Sequence, residues 1–334
     1  MKDFLQQTSS MMNQQAVSDI LRRMATDEVL KARCLQDRNW YRIALAVAAP
    51  YIAGSTSAEG VAGVEKVLAR GHRASIECMG ESCRERAMAE RETQVFLDLI
   101  RDLDAKQLPS SISFDLSHIG SEIDPDLGFE NASRIARAAA VSNREVMISM
   151  EGAARIDTIL SVYRRLHEEG GSEMAHVGIT IQARMHRSAQ DLAGLIEYPG
   201  KIRLVKGAYL EPASIAYPLD SHELHSAFLS YAKQLIQSGH PCSIATHDAS
   251  LQAEICDFID ANDLERGSFE FESLIGLGTN QIDALRERGM PTREYVVYGQ
   301  EFYLYVLNRI AENPQRLFPA IVAAFKAYAS EYGQ

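Results

Sequence analysis

The chain has 334 residues and a formal net charge of -11. Such acidity argues against a nucleic-acid partner, which needs a basic face, and no run of about 18 apolar residues exists to span a membrane. Residues 1–18 are polar and lack the apolar core of a secretory signal, so the expected location is the cytoplasm.

Residues 1–70 read as an N-terminal helical segment, with apolar spacing that predicts helices over 16–29, 41–49 and 57–70. From 71 to 334 the texture changes to short apolar runs, each followed by a polar turn and a helical stretch. The predicted strands are 74–79, 112–116, 146–150, 177–182, 202–206, 242–246, 269–273 and 295–298. The helices predicted between them are 85–100, 130–141, 156–168, 189–196, 224–238, 251–261 and 281–288, with another over 303–312. Alternating strand and helix implies parallel pairing with helices outside the sheet. About eight such units favour an α/β fold of the closed (βα)8 TIM-barrel type over a doubly wound open sheet.

A barrel of this kind carries its chemistry at the C-terminal ends of its strands. Those ends read Glu81, Asp115, Ser149, Glu151, Gln182, Arg203, Lys206, Thr246, His247, Asp248, Glu272 and Tyr295. The run from Ile202 to Tyr209 is the most telling, because an apolar strand there carries two cations, Arg203 and Lys206, on one expected face and ends at Gly207. A buried cation is costly unless an anion or a polarised ligand meets it. The two cations therefore either hold an anionic or electron-accepting ring, or make rim salt bridges to Glu151 or Glu272.

Thr246, His247 and Asp248 are adjacent at a strand end and point in different directions, which argues against a catalytic triad. They suit contacts to a polyhydroxyl ligand, with a structural histidine as the bland alternative. In the helix over 303–312, Tyr305 and Arg309 share a face and Glu312 is spaced to pair with Arg309. Gly276-Leu277-Gly278 is only a fragment of a glycine-rich loop, so a dinucleotide would have to lie on the barrel rim. The five cysteines (Cys34, Cys78, Cys83, Cys242, Cys256) lack paired ligand spacing and read as reduced thiols, and no metal site is expected.

These residues, in this order, resemble the proline dehydrogenase family. The strongest marks are Arg203 to Tyr209 with Glu211, and Ile244 to Asp248. Supporting marks are Met79-Gly80-Glu81, Ile181-Gln182-Ala183 followed by Arg187 and Asp191, Phe269-Glu270-Phe271, and Tyr305 with Arg309. The resemblance covers about 71–314. It implies a distorted (βα)8 barrel that binds FAD without a Rossmann domain, oxidises L-proline to 1-pyrroline-5-carboxylate and passes electrons to a quinone, with dioxygen as another possible acceptor. By resemblance, Arg203 lies near flavin N5 and Gln182 near the ring's polar edge. Lys206, Gly207 and Ala208 line the phosphate and ribityl region, with Thr246, His247 and Asp248 beside them. Tyr295, Tyr305 and Arg309 form the substrate lid.

The chain departs from that family at the substrate. The family's carboxylate clamp is one lysine and two adjacent arginines. Asp115 stands in the lysine's place and Asn308 in the first arginine's, so only Arg309 remains. Ser149 stands where the family has aspartate, and Glu272 where it has glutamine. A carboxylate about 4 Å from Asp115 is repelled by a few kcal/mol in a partly wet site. The expected activity is FAD-dependent hydride abstraction from proline or, more in keeping with these changes, from a proline-like or carboxylate-masked cyclic amine, giving an imine. Asp115 and Glu272 are both candidates to accept the amine proton. Two rival readings stay open: a Schiff-base lyase or aldolase using Lys206, and a non-catalytic flavin-binding homologue.

Overall fold

The computed structural model describes residue 14 and residues 16–332. The described residues begin with α1 (16–25), α2 (Glu28–Gln36), α3 (Arg38–Ala48) and α4 (Ser57–Ala69). The single helix expected over 16–29 is broken at Asp27, whose carboxylate accepts the Leu30 N–H at 2.9 Å and caps α2. Asp37 caps α3 in the same way, accepting from Asn39 and Trp40. A short acidic side chain that captures the first free N–H groups of a new helix ends the old one.

The remaining elements alternate: β1 (Arg73–Cys78), α5 (Arg86–Ala105), β2 (Ser110–Phe114), α6 (Pro125–Val141), β3 (Val146–Ile148), α7 (Ile156–Gly170), β4 (Val177–Gln182), α8 (Ser188–Leu195), β5 (Ile202–Val205), α9 (His222–Ser238), β6 (Cys242–Ala245), α10 (Ala249–Ala261), β7 (Phe269–Leu274), α11 (Thr279–Glu287), β8 (Thr292–Tyr298), α12 (Tyr303–Glu312) and α13 (Leu317–Tyr332). Neighbouring strands pair in parallel and β1 closes on β8, so the sheet is an eight-stranded barrel with β1 to β8 in chain order. The expected (βα)8 barrel is the observed fold.

Two strand boundaries differ from expectation in ways that matter. β5 ends at Val205, with Lys206 just beyond it; side chains in a strand alternate with a period of two, so Arg203 shares a face with Val205 and the expected common face of Arg203 and Lys206, three apart, does not exist. β8 begins at Thr292 rather than at 295, which places Tyr295 in mid-strand, in register with Ser75. The helix α13 was not anticipated; it packs on α3, where Arg42 donates to the Ala327 carbonyl at 2.9 Å.

Period-two alternation also locates the core. Ala74 and Ile76, Ile112 and Phe114, Val146 and Ile148, Ile202 and Leu204, and Phe269 and Phe271 are buried among the surrounding helices. The intervening residues face the barrel lumen and are largely polar or charged: Arg73, Ser75 and Glu77, then Ser111 and Ser113, Arg203, Ser243, Glu270 and Glu272, and Arg293. Barrel lumens are more often filled by branched aliphatic side chains. A second apolar cluster joins α1 through Leu21, α3 through Ala48, β8 through Val297, α12 through Val306 and Ile310, and α13 through Ala320. Among the described residues no helix is long and apolar enough to cross a membrane.

The lower layer of the lumen is a closed ionic lock. Arg293 reaches Glu270 at 2.6 Å and Glu145 at 3.0 Å, and Lys201 reaches the same two carboxylates at 3.0 and 2.7 Å. Arg73 adds a contact to Glu270 at 3.0 Å, and Arg293 also donates to Ser111 Oγ at 2.8 Å. Burial opposes ionisation of Glu270, but Arg293 and Lys201 outweigh it and hold the carboxyl at about 2. Replacing Arg293→Met leaves Glu270 buried with weaker compensation. The expected loss is about 3–5 kcal/mol of unfolding free energy, read from the urea midpoint at pH 7.

Candidate functional site

Above that lock, Arg203 occupies the middle of the lumen and is 5% exposed. Its Nε and a terminal nitrogen meet the two Glu272 oxygens at 3.0 and 2.9 Å, a two-point contact. The same guanidinium donates to Ser113 Oγ at 3.1 Å. Glu272 also accepts from Ser75 at 3.2 Å and from Ser243 in a short hydrogen bond. Every polar atom of a buried pair needs such company to offset its desolvation. Glu272 is thus committed to Arg203 and two serines, and the expected alternative of a rim salt bridge for Arg203 is realised with this residue. The guanidinium carbon also lies 4.7 Å from the centroid of the Tyr295 ring.

The next layer up holds carboxyl groups. Glu77, 8% exposed, accepts from Ser149 Oγ at 3.1 Å and from the Tyr295 hydroxyl in a short hydrogen bond. Burial pushes its carboxyl up to about 7; Arg203, the Ser149 hydrogen bond and His118 pull the other way, and Glu151 adds to the rise. Asp115 follows β2 directly, and its carboxyl is raised well above the ordinary range by burial and by the neighbouring Glu77 and Glu151. Glu151 is held by the Ser117 N–H at 3.1 Å and by Arg155 at 2.5 Å.

Around the rim, Gln182 donates to the Glu151 carbonyl at 2.7 Å, while its own carbonyl oxygen is buried without a partner. Thr180, one lumen position below on β4, has a buried hydroxyl in the same state. Lys206 pairs with Asp248 at 2.6 Å. Asp248 also caps α10, accepting from Ser250 and Leu251. Burial works against ionisation of Asp248, but Lys206 and these two N–H groups leave its carboxyl below the usual range. Thr246 is buried, and its hydroxyl accepts the Asp248 N–H at 3.2 Å.

The Leu274 N–H donates to His247 Nε2 at 3.0 Å, so the neutral ring carries its proton on Nδ1. Burial first, then Arg309 and Arg316, push His247 down to about 4, so it is neutral at physiological pH. Gly207 sits at φ +104°, and a Cβ there would stand 2.6 Å from the unpartnered Gln182 oxygen. Only glycine lets the backbone pass so close. Ala208 is exposed beside it.

The helix α12 brings up Tyr305, Asn308 and Arg309. Arg309 pairs with Glu312 at 2.6 Å, as the spacing predicted, and its guanidinium carbon lies 5.4 Å from the Tyr305 ring centroid. The Tyr305 hydroxyl and Arg309 Nε are buried without partners. Asn308 is half-buried. Lys31 of α2 pins the mouth from outside, meeting Glu301 at 2.8 Å and Glu81 in a shorter contact.

The structure therefore joins Arg203, Glu272 and Tyr295 directly, Lys206 with Asp248, and Tyr305 with Arg309. The residues missed in the sequence are Glu77, Arg155 and Lys31. Glu77 was legible: it is the lumen-side residue next above Ser75 in a strand already predicted. Lys31 lies on a helix distant in sequence and gave no signal. A flavin fits this donor and acceptor set. A ring imide N–H would supply the donor that the Gln182 oxygen lacks, and the positive-φ Gly207 leaves room for close approach. Among the described residues no cluster of histidine, cysteine or carboxylate side chains could hold a metal ion.

Comparison with known proteins places these residues in context. Residues 61–317 match the family described as proline dehydrogenase. The proline dehydrogenase of Deinococcus radiodurans is 31% identical over 268 residues, 79% of this chain and 86% of that protein. Proline dehydrogenase 1 of Bacillus subtilis is 30% identical over 264 residues, with the same two coverages. Among solved structures, proline utilization A from Bdellovibrio bacteriovorus, inactivated by N-propargylglycine, superposes with a TM-score of 0.74 at 17% identity. That match covers 88% of this chain and 38% of the longer one, and it speaks to the fold.

Glu77 keeps its proton to higher pH in the folded protein than in the unfolded chain. The resulting stabilisation is complete below the ordinary carboxylate range and is lost as pH rises through about 7. Melting temperature should therefore fall between about pH 5 and 8, and Glu77→Gln should flatten that slope, as thermal unfolding at constant ionic strength will show.

Proposed function

The chain belongs to the proline dehydrogenase family and is a flavin-dependent oxidoreductase of that type; on that premise we propose that it removes hydride from the carbon beside an amine nitrogen, turning a cyclic amine into an imine. The proposed substrate is proline or, in better accord with the mouth, a proline-like amine whose carboxylate is masked as an amide, ester or thioester. The observation that carries this is Asp115. It stands in the clamp lysine's place, beside Glu77 and Glu151, and among the described residues it makes no hydrogen bond or ion pair. A free carboxylate brought there would find a buried carboxyl group where the clamp would supply a positive charge, in a poorly solvated site.

FAD is the proposed cofactor, and when bound it supplies the acceptor for the hydride. Gln182, Lys206, Gly207, Ala208, Thr246, His247 and Asp248 are the residues proposed to hold it. Arg203, fixed by Glu272, supplies a preorganised positive charge at the mouth. Tyr305 and Arg309 close over the substrate from α12 and exclude water, with Tyr295 forming the wall beneath them and Asn308 beside Arg309. The barrel from residue 71 to 334 is proposed as the catalytic unit, acting in the cytoplasm with a quinone or dioxygen as electron acceptor. A Schiff base on Lys206 draws no support from the geometry, because that amine is tied up in a 2.6 Å contact with Asp248.

The purified protein should be yellow, and L-prolinamide should bleach it anaerobically faster than free L-proline at equal concentration. Equal rates would remove the masked-carboxylate reading, and a colourless protein that binds no added FAD would remove the cofactor. Asp115→Lys should shift the ratio of bleaching rates toward free L-proline by at least about tenfold, the equivalent of roughly 1.4 kcal/mol.

A further inference from the structure

We infer that the outer face of α13, with the helices beside it, docks on the anionic surface of a lipid bilayer. The inference goes beyond the reaction proposed above, and neither flavin nor amine enters its argument.

The helix α13 is built inside out. Phe318, Ile321, Val322 and Phe325 recur at spacings of three and four, so they form one stripe, and each is more than half exposed. The face turned to α3 is made of smaller side chains: Ala320 is buried in the second apolar cluster, and Arg42 of α3 reaches the carbonyl of Ala327. A helix that only had to close a soluble fold would turn its large apolar residues inward. The neighbouring helices share the pattern, since Ile20 of α1, Val29 of α2, Trp40 of α3 and Leu304 of α12 are also exposed. With the exception of Val141 at the end of α6, the other exposed large apolar side chains lie in connections after a strand or in the first turn of the next helix. Apolar exposure is thus concentrated at the end of the molecule that carries the mouth, and a patch of this kind marks a partner.

Charge selects that partner. Residues 16–48 hold six cations against four acids, and residues 303–332 hold three against two. These helices are therefore +3 in a chain of -11, and the remainder is -14. Two of the acids, Asp27 and Asp37, are engaged as helix caps. Arg23, Arg33, Arg38 and Lys326 are exposed and make no ion pair among the described residues. Cations and an exposed tryptophan on the helices of an apolar stripe suit a headgroup layer of negative charge. A fluid surface also accommodates apolar residues spread over several separate elements. A second copy of the chain would bring +3 against +3, which opposes that pairing. The acidic remainder is repelled by the same lipid, so the field turns these helices toward the bilayer. Only the short turn Pro314–Arg316 separates α13 from α12, so docking here brings the helix that carries Tyr305 and Arg309 to the bilayer. A quinone dissolved in the lipid would then meet the protein at its mouth.

The test uses the purified full chain and sucrose-loaded vesicles of phosphatidylcholine, with or without phosphatidylglycerol. The protein should sediment with the phosphatidylglycerol vesicles, and binding should fall by at least about tenfold on phosphatidylcholine alone or in high salt. Energy transfer from Trp40, the only tryptophan of the chain, to dansyl-labelled lipid reads the same event without sedimentation. Ile321→Glu with Phe325→Glu should abolish binding while melting temperature and circular dichroism stay at wild-type values, and Val141→Glu should bind as the wild type does. Arg38→Glu with Lys326→Glu leaves the apolar stripe intact and should weaken binding to phosphatidylglycerol vesicles by at least about tenfold. Wild type that stays in the supernatant with both vesicles, or stripe and charge variants that sediment like wild type, would overturn the inference. A wild-type dimer that forms without lipid, ignores vesicles and dissociates on Ile321→Glu with Phe325→Glu would give the face to a second copy and overturn it as well.

Discussion

A guanidinium in the middle of a barrel is the constraint on which the rest of this structure turns. Arg203 can be buried there only because Glu272 meets it at two points and Ser75, Ser113 and Ser243 complete the contacts of the two ions. Four other strands, β1, β2, β6 and β7, must present a small polar or acidic residue at that level. The lumen is consequently a column of hydrogen bonds, and the apolar core is displaced to the ring between strands and helices.

The column is graded along the barrel axis. At the bottom, Arg73, Lys201 and Arg293 meet two acids, Glu145 and Glu270, and this excess of cation keeps Glu270 ionised. In the middle, one cation meets one acid. At the mouth the acids outnumber the cations left to them, and their protons are held tightly. The same residue type therefore has opposite titration behaviour at the two ends of one lumen, set by its neighbours and not by its identity.

Family membership and the mouth residues carry different information. Identity of 31% over most of the chain fixes the scaffold and the class of chemistry. The substrate proposed above rests on a handful of side chains at the rim, Asp115 and Asn308 among them, which the resemblance sets in the place of cations. The proposed exchange of a lysine for Asp115 and an arginine for Asn308 is a formal change of three charges, and in a poorly solvated pocket that outweighs many substitutions on the outer helices, because Coulomb energy there is weakly screened.

The sequence by itself determined the barrel, since alternating strands and helices with apolar runs of the right length have few other ways to bury themselves, and it read Arg203, Gln182, Lys206 and Asp115 as strand-end residues, of which Arg203 lies deeper, in the middle of the lumen. Its errors were of two kinds: Arg203 and Lys206 are three apart, so period-two alternation puts them on different faces wherever the strand ends, and an aspartate cap at 27 splits a helix that apolar periodicity had joined. Partnership was decided only by tertiary structure. Which carboxylate meets Arg203, that Lys206 is tied to Asp248, that Lys31 reaches across to Glu81 and Glu301, and that Asp115 makes no ion pair among the described residues all depend on distances between segments far apart in the chain. Electrostatic pairing is a property of such distances, and a linear pattern of residue types does not contain them.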